Sequence, residues 1–221
     1  MAKAKLLTFL SMAAHDLKAP LSAIQTYFDV LLGGFLGELN EKQSEVIERS
    51  SQRVNGLYEL ISDLLNICRI ETTQIVSEFE DLSMIKLAKG PIEDAQRLAQ
   101  EKGLKLVMDI PSELPLISGS TARLQQVLTN LLNNAIKFTP KGGTVIFRLM
   151  EKDGKIAGEI QDTGIGIPEQ DFPHLFEDFF RARNARATSG TGLGLSITKR
   201  IIEAHGGQIR AESPCLETGA G

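Results

Sequence analysis

Three polar side chains with the chemistry of a metal and phosphate site recur at helical spacing in the middle of the chain. Asn130, Asn134 and Lys137 are separated by four and three residues, so a helix places them on one face. An amide oxygen suits the hard cation Mg²⁺, and a lysine ammonium suits anionic phosphate oxygens. The triplet therefore predicts a Mg²⁺ and phosphate site. Taken alone, it also fits a solvated polar helix face.

Two glycine-rich segments follow, each in a position that suits a nucleotide. The first is DTGIG at 162–166, directly after an alternating strand. A carboxylate at a strand end can accept a hydrogen from the amino group of adenine, and glycines let a base lie against the backbone. The second is GTGLG at 190–194, just before a helix whose N-terminal N–H groups favour anions. Neither segment is specific by itself, because the first fits an ordinary turn and the second is not a Rossmann or Walker motif.

An aromatic cluster lies between the two glycine-rich segments. Phe176, Phe179 and Phe180 are followed at once by Arg181. The aromatic side chains are predicted to anchor a mobile loop to the core. Arg181 could reach a phosphate, and an ordinary exposed arginine is the alternative interpretation.

A histidine near the start of the chain is the candidate nucleophile. His15 lies in a helical pattern beside Asp16 and ahead of Pro20, which interrupts helical hydrogen bonding. In isolation, a histidine in an amphipathic helix is more often structural. Because this chain also carries a predicted nucleotide site, we interpret His15 as functional.

Together, in this order and spacing, the four clusters resemble the asparagine, first glycine, phenylalanine and second glycine boxes of sensor histidine kinases. The segment 9–21 (FLSMAAHDLKAPL) is similar to the histidine box of the same family. The resemblance covers nearly the whole chain. It implies an ATP-binding domain with the Bergerat fold, which type II topoisomerases and certain chaperones share.

The resemblance also implies a role for each motif position. Asn130 would hold Mg²⁺, Asn134 and Lys137 would contact the phosphates of ATP, and Asp162 would bind adenine. The other expected nucleotide-binding positions, which shape the pocket and a small polar lid at 182–193, are Gly164, Gly166, Arg181, Gly190, Thr191, Gly192, Leu193 and Gly194.

The same resemblance implies catalytic roles for His15 and Asp16. Asp16 would accept or orient the Nδ1 proton of His15, which leaves Nε2 as the nucleophile on the γ-phosphate. Histidine suits this role because its neutral form is available near pH 7. The phosphoryl group would then pass to an aspartate on the receiver domain of a response regulator.

Two long amphipathic helices must position His15. Apolar residues step by threes and fours over 5–32 and again over about 41–72, with a glycine-rich segment between them and Asn40 as the predicted N-cap. One hairpin cannot cover both apolar stripes, whereas two copies packed as a four-helix bundle would do so. The pattern predicts a homodimer. The alternative is burial of both helices against the rest of the same chain.

After about residue 75 the pattern changes to mixed strands and helices. Helices are predicted at 83–102, 119–138 and 194–204, and strands at 104–110, 144–150 and 155–161, the last two joined by a turn at Asp153-Gly154. The fold class is therefore α+β. Residues 1–75 form a helical hairpin of a dimeric four-helix bundle, and residues 76–221 form an α/β sandwich of the Bergerat type over a mixed sheet.

Composition restricts the other possibilities. A formal net charge of −4 over 221 residues argues against a nucleic-acid partner. No apolar run approaches the roughly 18 residues of a membrane span, so no membrane segment is expected in this chain. The two cysteines match no disulfide framework or metal spacing, which fits a cytoplasmic location, either alone or as the cytoplasmic part of a larger membrane-bound sensor.

Two further functions fit part of the pattern. A Bergerat ATPase of the chaperone kind would release free phosphate without labelling the protein, and it gives no reason for the segment around His15. A pseudokinase scaffold would bind partners without catalysis, but no nucleotide-box residue regarded as essential is missing.

Overall fold

The chain begins with two long helices, α1 at Ala2–Leu32 and α2 at Glu41–Arg69. The computed structural model describes the backbone of residues 2–69, 72–185, 188 and 190–213. It describes the side chains of these residues except 2–16, 59, 63–69 and 72–74. The chain divides into two compact units, Met1–Arg69 with Thr188–Leu193 and Ile70–Ala187 with Gly194–Gly221.

The turn between α1 and α2 contains the glycine-rich segment and the N-cap that the sequence predicts. The chain leaves α1 through Gly34 and Gly37, whose positive φ angles of 73° and 111° favour glycine. Asn40 Oδ1 then accepts the Gln43 N–H at 3.0 Å, and Gln43 Oε1 accepts the Asn40 N–H at 3.0 Å. This reciprocal pair satisfies two backbone donors at the start of α2. Asn40 is therefore the N-cap that the sequence predicts.

Among the described side chains of the first unit, the two helices contact each other through apolar and polar groups. Leu21 packs on the buried Ile61. Gln25 Nε2 donates to Ser51 Oγ at 2.7 Å. α1 continues through Pro20 without a break. Many apolar side chains of the pair stay exposed: Leu17, Ile24, Tyr27, Leu32, Val46, Leu57 and Leu60.

In its described part, the second unit combines short strands with three main helices. Its elements in chain order are α3 (Thr72–Ser77), β1 (Glu80–Leu82), α4 (Met84–Lys102), β2 (Lys105–Asp109), β3 (Ile117–Gly119), α5 (Thr121–Phe138), β4 (Thr144–Lys152), β5 (Lys155–Asp162), two 3₁₀ turns (Glu169–His174 and Arg183–Ala185) and α6 (Gly194–Ala204).

The strands form one mixed sheet and one small antiparallel pair. β2 lies parallel to β4, β4 lies antiparallel to β5, and β1 pairs separately with β3. Asp153 and Gly154 join β4 to β5 with φ angles of 52° and 70°. Two positive φ angles at a two-residue loop are typical of the type I′ hairpin turn.

The core lies between α4, α5 and the inner face of the mixed sheet. Alternate residues of β4 are buried, namely Val145, Phe147 and Leu149, as the period of a strand requires. Leu128 and Leu132 on α5 belong to the same cluster of buried side chains. This packing leaves the opposite face of α5 available for a site.

The fold class is confirmed as a helical N-terminal region followed by an α/β domain with a mixed sheet. The predicted α4, α5, β2, β4 and β5 are present within two residues of their expected ends, and α6 spans the predicted 194–204. α3 and the β1–β3 pair were not predicted, because strands of three residues carry no readable alternation.

Candidate active site

The predicted metal and phosphate face is on α5. Two hydrogen bonds of Ser120 hold the start of this helix. Ser120 is the N-cap, and its Oγ accepts the Arg123 N–H at 3.4 Å. The Ser120 N–H donates to His205 Nε2 at 3.0 Å, while His205 Nδ1 lies 2.8 Å from the carbonyl oxygen of Ile201. The histidine is therefore the neutral tautomer with its proton on Nδ1. His205 thus connects the start of α5 to the end of α6.

Asn130, Asn134 and Lys137 lie half-buried on α5. On the other side of this helix, Val127, Leu128 and Leu132 are buried in the core. The structure thus places the three polar side chains along α5 as the spacing predicts. Their roles toward a nucleotide stay predictions.

Asn130 lies against the start of α6. Its Nδ2 donates to Thr198 Oγ1 at 2.8 Å. A methyl group built on Gly194, the first residue of α6, would lie 2.3 Å from Asn130 Oδ1. Only a residue without a Cβ allows this approach. The asparagine box and the second glycine box therefore meet at one point, where Asn130 Oδ1 is left for another partner.

Asp162 and Gly164 form a second close contact, beside the C-terminal end of α5. Asp162 Oδ1 accepts the Gly164 N–H at 2.8 Å. A methyl group on Gly164 would lie 2.3 Å from that oxygen and 2.9 Å from the carbonyl oxygen of Phe138. Burial raises the pKa of Asp162 above its ordinary value of 3.8, and the hydrogen bond from Gly164 opposes that shift. A partly desolvated carboxyl at a strand end is consistent with the predicted adenine contact.

The loop after Asp162 is held from two directions. Ile165 donates its N–H to the carbonyl oxygen of Phe138 at 3.2 Å. Asn184 Nδ2 donates to the carbonyl oxygens of Gly166 and Ile165, at 2.8 Å and 3.2 Å. The first glycine box is thus tied both to the end of α5 and to the segment that follows the aromatic cluster.

The segment between the aromatic cluster and the second glycine box is described only in part, since residues 186, 187 and 189 lie outside the described residues. Arg181 donates to the carbonyl oxygen of Ala185 at 2.9 Å. Thr191 Oγ1 accepts the Leu193 N–H at 3.2 Å, around Gly192 with a φ of 76°. Gly190 also has a positive φ, of 142°. The predicted nucleotide contacts of these positions stay predictions.

His15 and Asp16 belong to α1, and their side chains lie outside those that the structure describes. The helical backbone at His15 and Asp16 agrees with the helix that the sequence pattern predicts there. The proposed proton contact between the two side chains is untested.

The structure adds three site-supporting residues that the sequence analysis missed. Thr198 holds Asn130, Asn184 holds the first glycine box, and Lys102 binds the end of α5. Thr198 lies one helical turn after Gly194, so the sequence could have predicted that the two residues share one face of α6. Asn184 and Lys102 gave no signal, because their partners lie 18 to 35 residues away in sequence.

The residues present fit a Mg²⁺ ion that is shared with phosphate. In the described part of the chain, no three His, Cys, Asp or Glu side chains are grouped so that they could hold a metal. Mg²⁺ at nucleotide sites takes few protein ligands and several oxygens from phosphates and water. Asn130 Oδ1 is one suitable oxygen, since the other atom of that amide is already used by Thr198.

Comparison with known proteins places both parts of the chain in one family. Residues 5–73 match the family described as His Kinase A (phospho-acceptor) domain. Residues 119–220 match the family described as Histidine kinase-, DNA gyrase B-, and HSP90-like ATPase. The chain belongs to the histidine kinases. The resemblance stated from the motifs is confirmed, and so is the ATP-binding fold of the second part.

Similar proteins carry this histidine kinase region within longer chains. The circadian input-output histidine kinase CikA of Synechococcus elongatus is 34% identical over 209 residues, which cover 93% of this chain and 28% of CikA. The adaptive-response sensory kinase SasA of Rippkaea orientalis is 36% identical over 216 residues, which cover 92% of this chain and 54% of SasA. This histidine kinase therefore spans about half of one relative and less of the other.

A solved structure also matches this chain. Full-length ShkA in complex with AMPPNP aligns with a TM-score of 0.69 at 26% identity, over 90% of this chain and 41% of that one. In the described part of this histidine kinase, no helix has both the length and the apolar character needed to cross a membrane.

Proposed function

We propose that this chain is the catalytic core of a sensor histidine kinase that moves the γ-phosphate of ATP to its own His15. The observation that carries the proposal is the meeting of the asparagine box with the second glycine box, where Asn130 Oδ1 lies against Gly194. Asp162 and Gly164 form the other end of the same site. Family membership supports the assignment, since both a phospho-acceptor and an ATPase segment are matched.

Residues from the middle to the C-terminal end of α5, together with Asp162, would bind ATP. The Asp162 carboxylate would accept a hydrogen bond from the adenine amino group. Asn134 and Lys137 would bind phosphate oxygens, and Asn130 Oδ1 would hold Mg²⁺. The ion supplies charge neutralisation at the phosphates when it is bound. The remaining work of the protein is positioning, because phosphoryl transfer needs little covalent chemistry from protein groups.

The proposed reaction uses the neutral imidazole of His15. Its Nε2 forms a bond to the γ-phosphorus as the bond from that phosphorus to the β–γ bridging oxygen breaks, and ADP leaves. Asp16 takes or shares the Nδ1 proton, so the phosphorylated ring need not carry a positive charge. An aspartate of a receiver domain on a response regulator would then accept the phosphoryl group.

We further propose that the chain acts as a homodimer, with a helical phosphotransfer domain at 1–75 and an ATP-binding domain at 76–221. The exposed apolar side chains of the hairpin support the dimer. Tyr27 is 66% exposed, Val46 is 63% exposed and Leu57 is 51% exposed, although helix patterns of this kind bury such residues. A second hairpin would cover them in a four-helix bundle. A cytoplasmic location is part of this proposal, because ATP and the receiver domains of response regulators are found in the cytoplasm.

The distribution of labelled phosphate tests the proposal against its rivals. The purified chain is incubated with Mg²⁺ and γ-labelled ATP, and label is measured in protein and in free phosphate. A kinase accumulates protein-bound label that acid releases and alkali spares, as expected for a phosphoramidate. Free phosphate without labelled protein would indicate an ATPase, and no turnover of bound nucleotide would indicate a scaffold.

A further inference from the structure

The last turn of α5 has an external partner for every carbonyl group. A helix leaves its last four carbonyl oxygens without intrahelical partners. In α5, Thr139 bonds the Ala135 oxygen through both its N–H and its Oγ1, at 3.1 Å and 2.7 Å. The Phe138 oxygen accepts the Ile165 N–H. The two oxygens between them belong to Ile136 and Lys137.

Both of these oxygens accept hydrogen bonds from one ammonium group. Lys102 Nζ lies 2.8 Å from the Ile136 oxygen and 2.7 Å from the Lys137 oxygen. Lys102 is half-buried, and none of the ion pairs among the described residues involves it. Its charge therefore acts on the carbonyl end of α5, where a cation is favoured by the helix dipole.

The backbone that carries Lys102 is itself fixed. Lys102 ends α4, and Gly103 closes that helix with a φ of 71°. The Gly103 oxygen accepts the Gly142 N–H at 3.0 Å, and the Lys105 N–H donates to the Gly143 oxygen at 2.9 Å. The lysine thus extends from an anchored helix end and is not a freely moving surface side chain.

We propose that Lys102 is a positioning residue of the nucleotide site. It holds the turn that carries the Lys137 side chain and the Phe138 carbonyl, and Phe138 in turn holds the first glycine box through Ile165. Without the ammonium, the carbonyl groups of Ile136 and Lys137 lose their partners. The turn that carries the Lys137 side chain and the Phe138 carbonyl is then held less firmly. This inference rests on the proposed function of the site. It adds to that function a residue outside all the motif boxes.

The inference predicts a specific kinetic pattern. Lys102 supports groups that contact ATP in the ground state as much as in the transition state. Loss of such uniform binding raises the half-saturating ATP concentration and leaves the maximal rate nearly unchanged. Removing two charge-assisted hydrogen bonds is expected to raise that concentration about tenfold.

The test uses the full chain and four variants. Lys102→Met keeps the length of the side chain and removes the charge, and Lys102→Arg keeps the charge and the donors. Lys102→Gln removes the charge, keeps an amide NH₂ group, and replaces the methionine variant if that variant does not fold. Lys89→Met is the matched control, an exposed lysine on the same helix. ADP binding is measured by calorimetry, and autophosphorylation is measured against ATP concentration.

Lys102→Met is expected to weaken ADP binding about tenfold, with Lys102→Arg and Lys89→Met within about twofold of the wild type. Unchanged ADP affinity in the methionine and glutamine variants would overturn the inference. An equal loss of affinity and maximal rate, not restored by arginine, would also overturn it in favour of a merely structural role. Wild-type protein that binds no adenine nucleotide would instead refute the proposed function itself.

Discussion

Gly194→Ala is the substitution whose effect on the site follows most directly from the contact distances. The added methyl group would lie 2.3 Å from Asn130 Oδ1 and 3.0 Å from its Cγ. The first distance is about 1 Å shorter than van der Waals contact allows. The short Asn130 side chain must therefore move, and it cannot keep its 2.8 Å hydrogen bond to Thr198.

The expected change in stability is small, whereas the expected change in function is large. Loss of one partly buried hydrogen bond costs about 1 kcal/mol. Replacing glycine by alanine in a helix gains up to about 1 kcal/mol. The free energy of unfolding should therefore stay within about 1 kcal/mol of the wild type. Loss of one interaction with a charged group costs about 1.5 to 3 kcal/mol, so binding of MgATP should fall at least about tenfold. A displacement of about 1 Å at a positioned group can also cost about a hundredfold in the rate of phosphoryl transfer.

Calorimetric titration with ATP, in the presence and absence of Mg²⁺, measures this effect. We expect the variant to lose most of the Mg²⁺-dependent gain in affinity and to keep the Mg²⁺-independent part. Gly158→Ala is the control, because its methyl group would meet only Leu149, at an ordinary contact distance of 3.5 Å. Wild-type affinity for MgATP in Gly194→Ala would refute the role given to Asn130.

Three further predictions concern the carboxyl group, the strained backbone and the dimer. Burial raises the pKa of Asp162, so between the unfolded value of about 4 and the raised pKa the folded chain binds more protons than the unfolded chain, and stability is lost as the pH rises through that window. Asp162→Asn should therefore gain stability over the wild type in urea unfolding as the pH rises above about 4. The variant should also bind adenine nucleotides at least about tenfold more weakly, and an unchanged affinity would exclude the adenine role. Phe179 is 60% exposed at a φ of 64°, so Phe179→Gly should raise the free energy of unfolding by about 1 kcal/mol, and a clear loss would show that the ring is stabilising. A fragment of residues 1–75 should sediment as a helical dimer, and a stable monomer would contradict the four-helix bundle.

The sequence predicted those parts of the fold that depend on local periodicity. α4, α5 and α6 follow from apolar spacing, and the hairpin of β4 and β5 follows from alternation around Asp153-Gly154. The pairing of β1 with β3 could not be predicted. It joins residues about 37 positions apart through three-residue strands, and its register depends on packing and not on local pattern.

At the site, too, the local sequence pattern predicted some features, whereas contacts between distant residues could not be predicted. The positions of Asn130 and Asp162 followed from helical spacing and from the end of a strand. The side chains that hold them in place come from distant parts of the chain: Thr198 for Asn130, and Lys102 for the last turn of α5. Their types are ordinary for a helix, so only the folded structure identifies them as parts of the site.

Identification of the phosphorylated residue tests the proposed transfer of phosphate to His15. The full chain is incubated with Mg²⁺ and ATP, and the modified residue is identified by mass spectrometry at alkaline pH, where phosphohistidine is stable. We expect phosphate on His15, and we expect His15→Gln to abolish phosphorylation while ADP still binds with wild-type affinity. Phosphorylation of the His15→Gln variant at the wild-type rate would contradict the account.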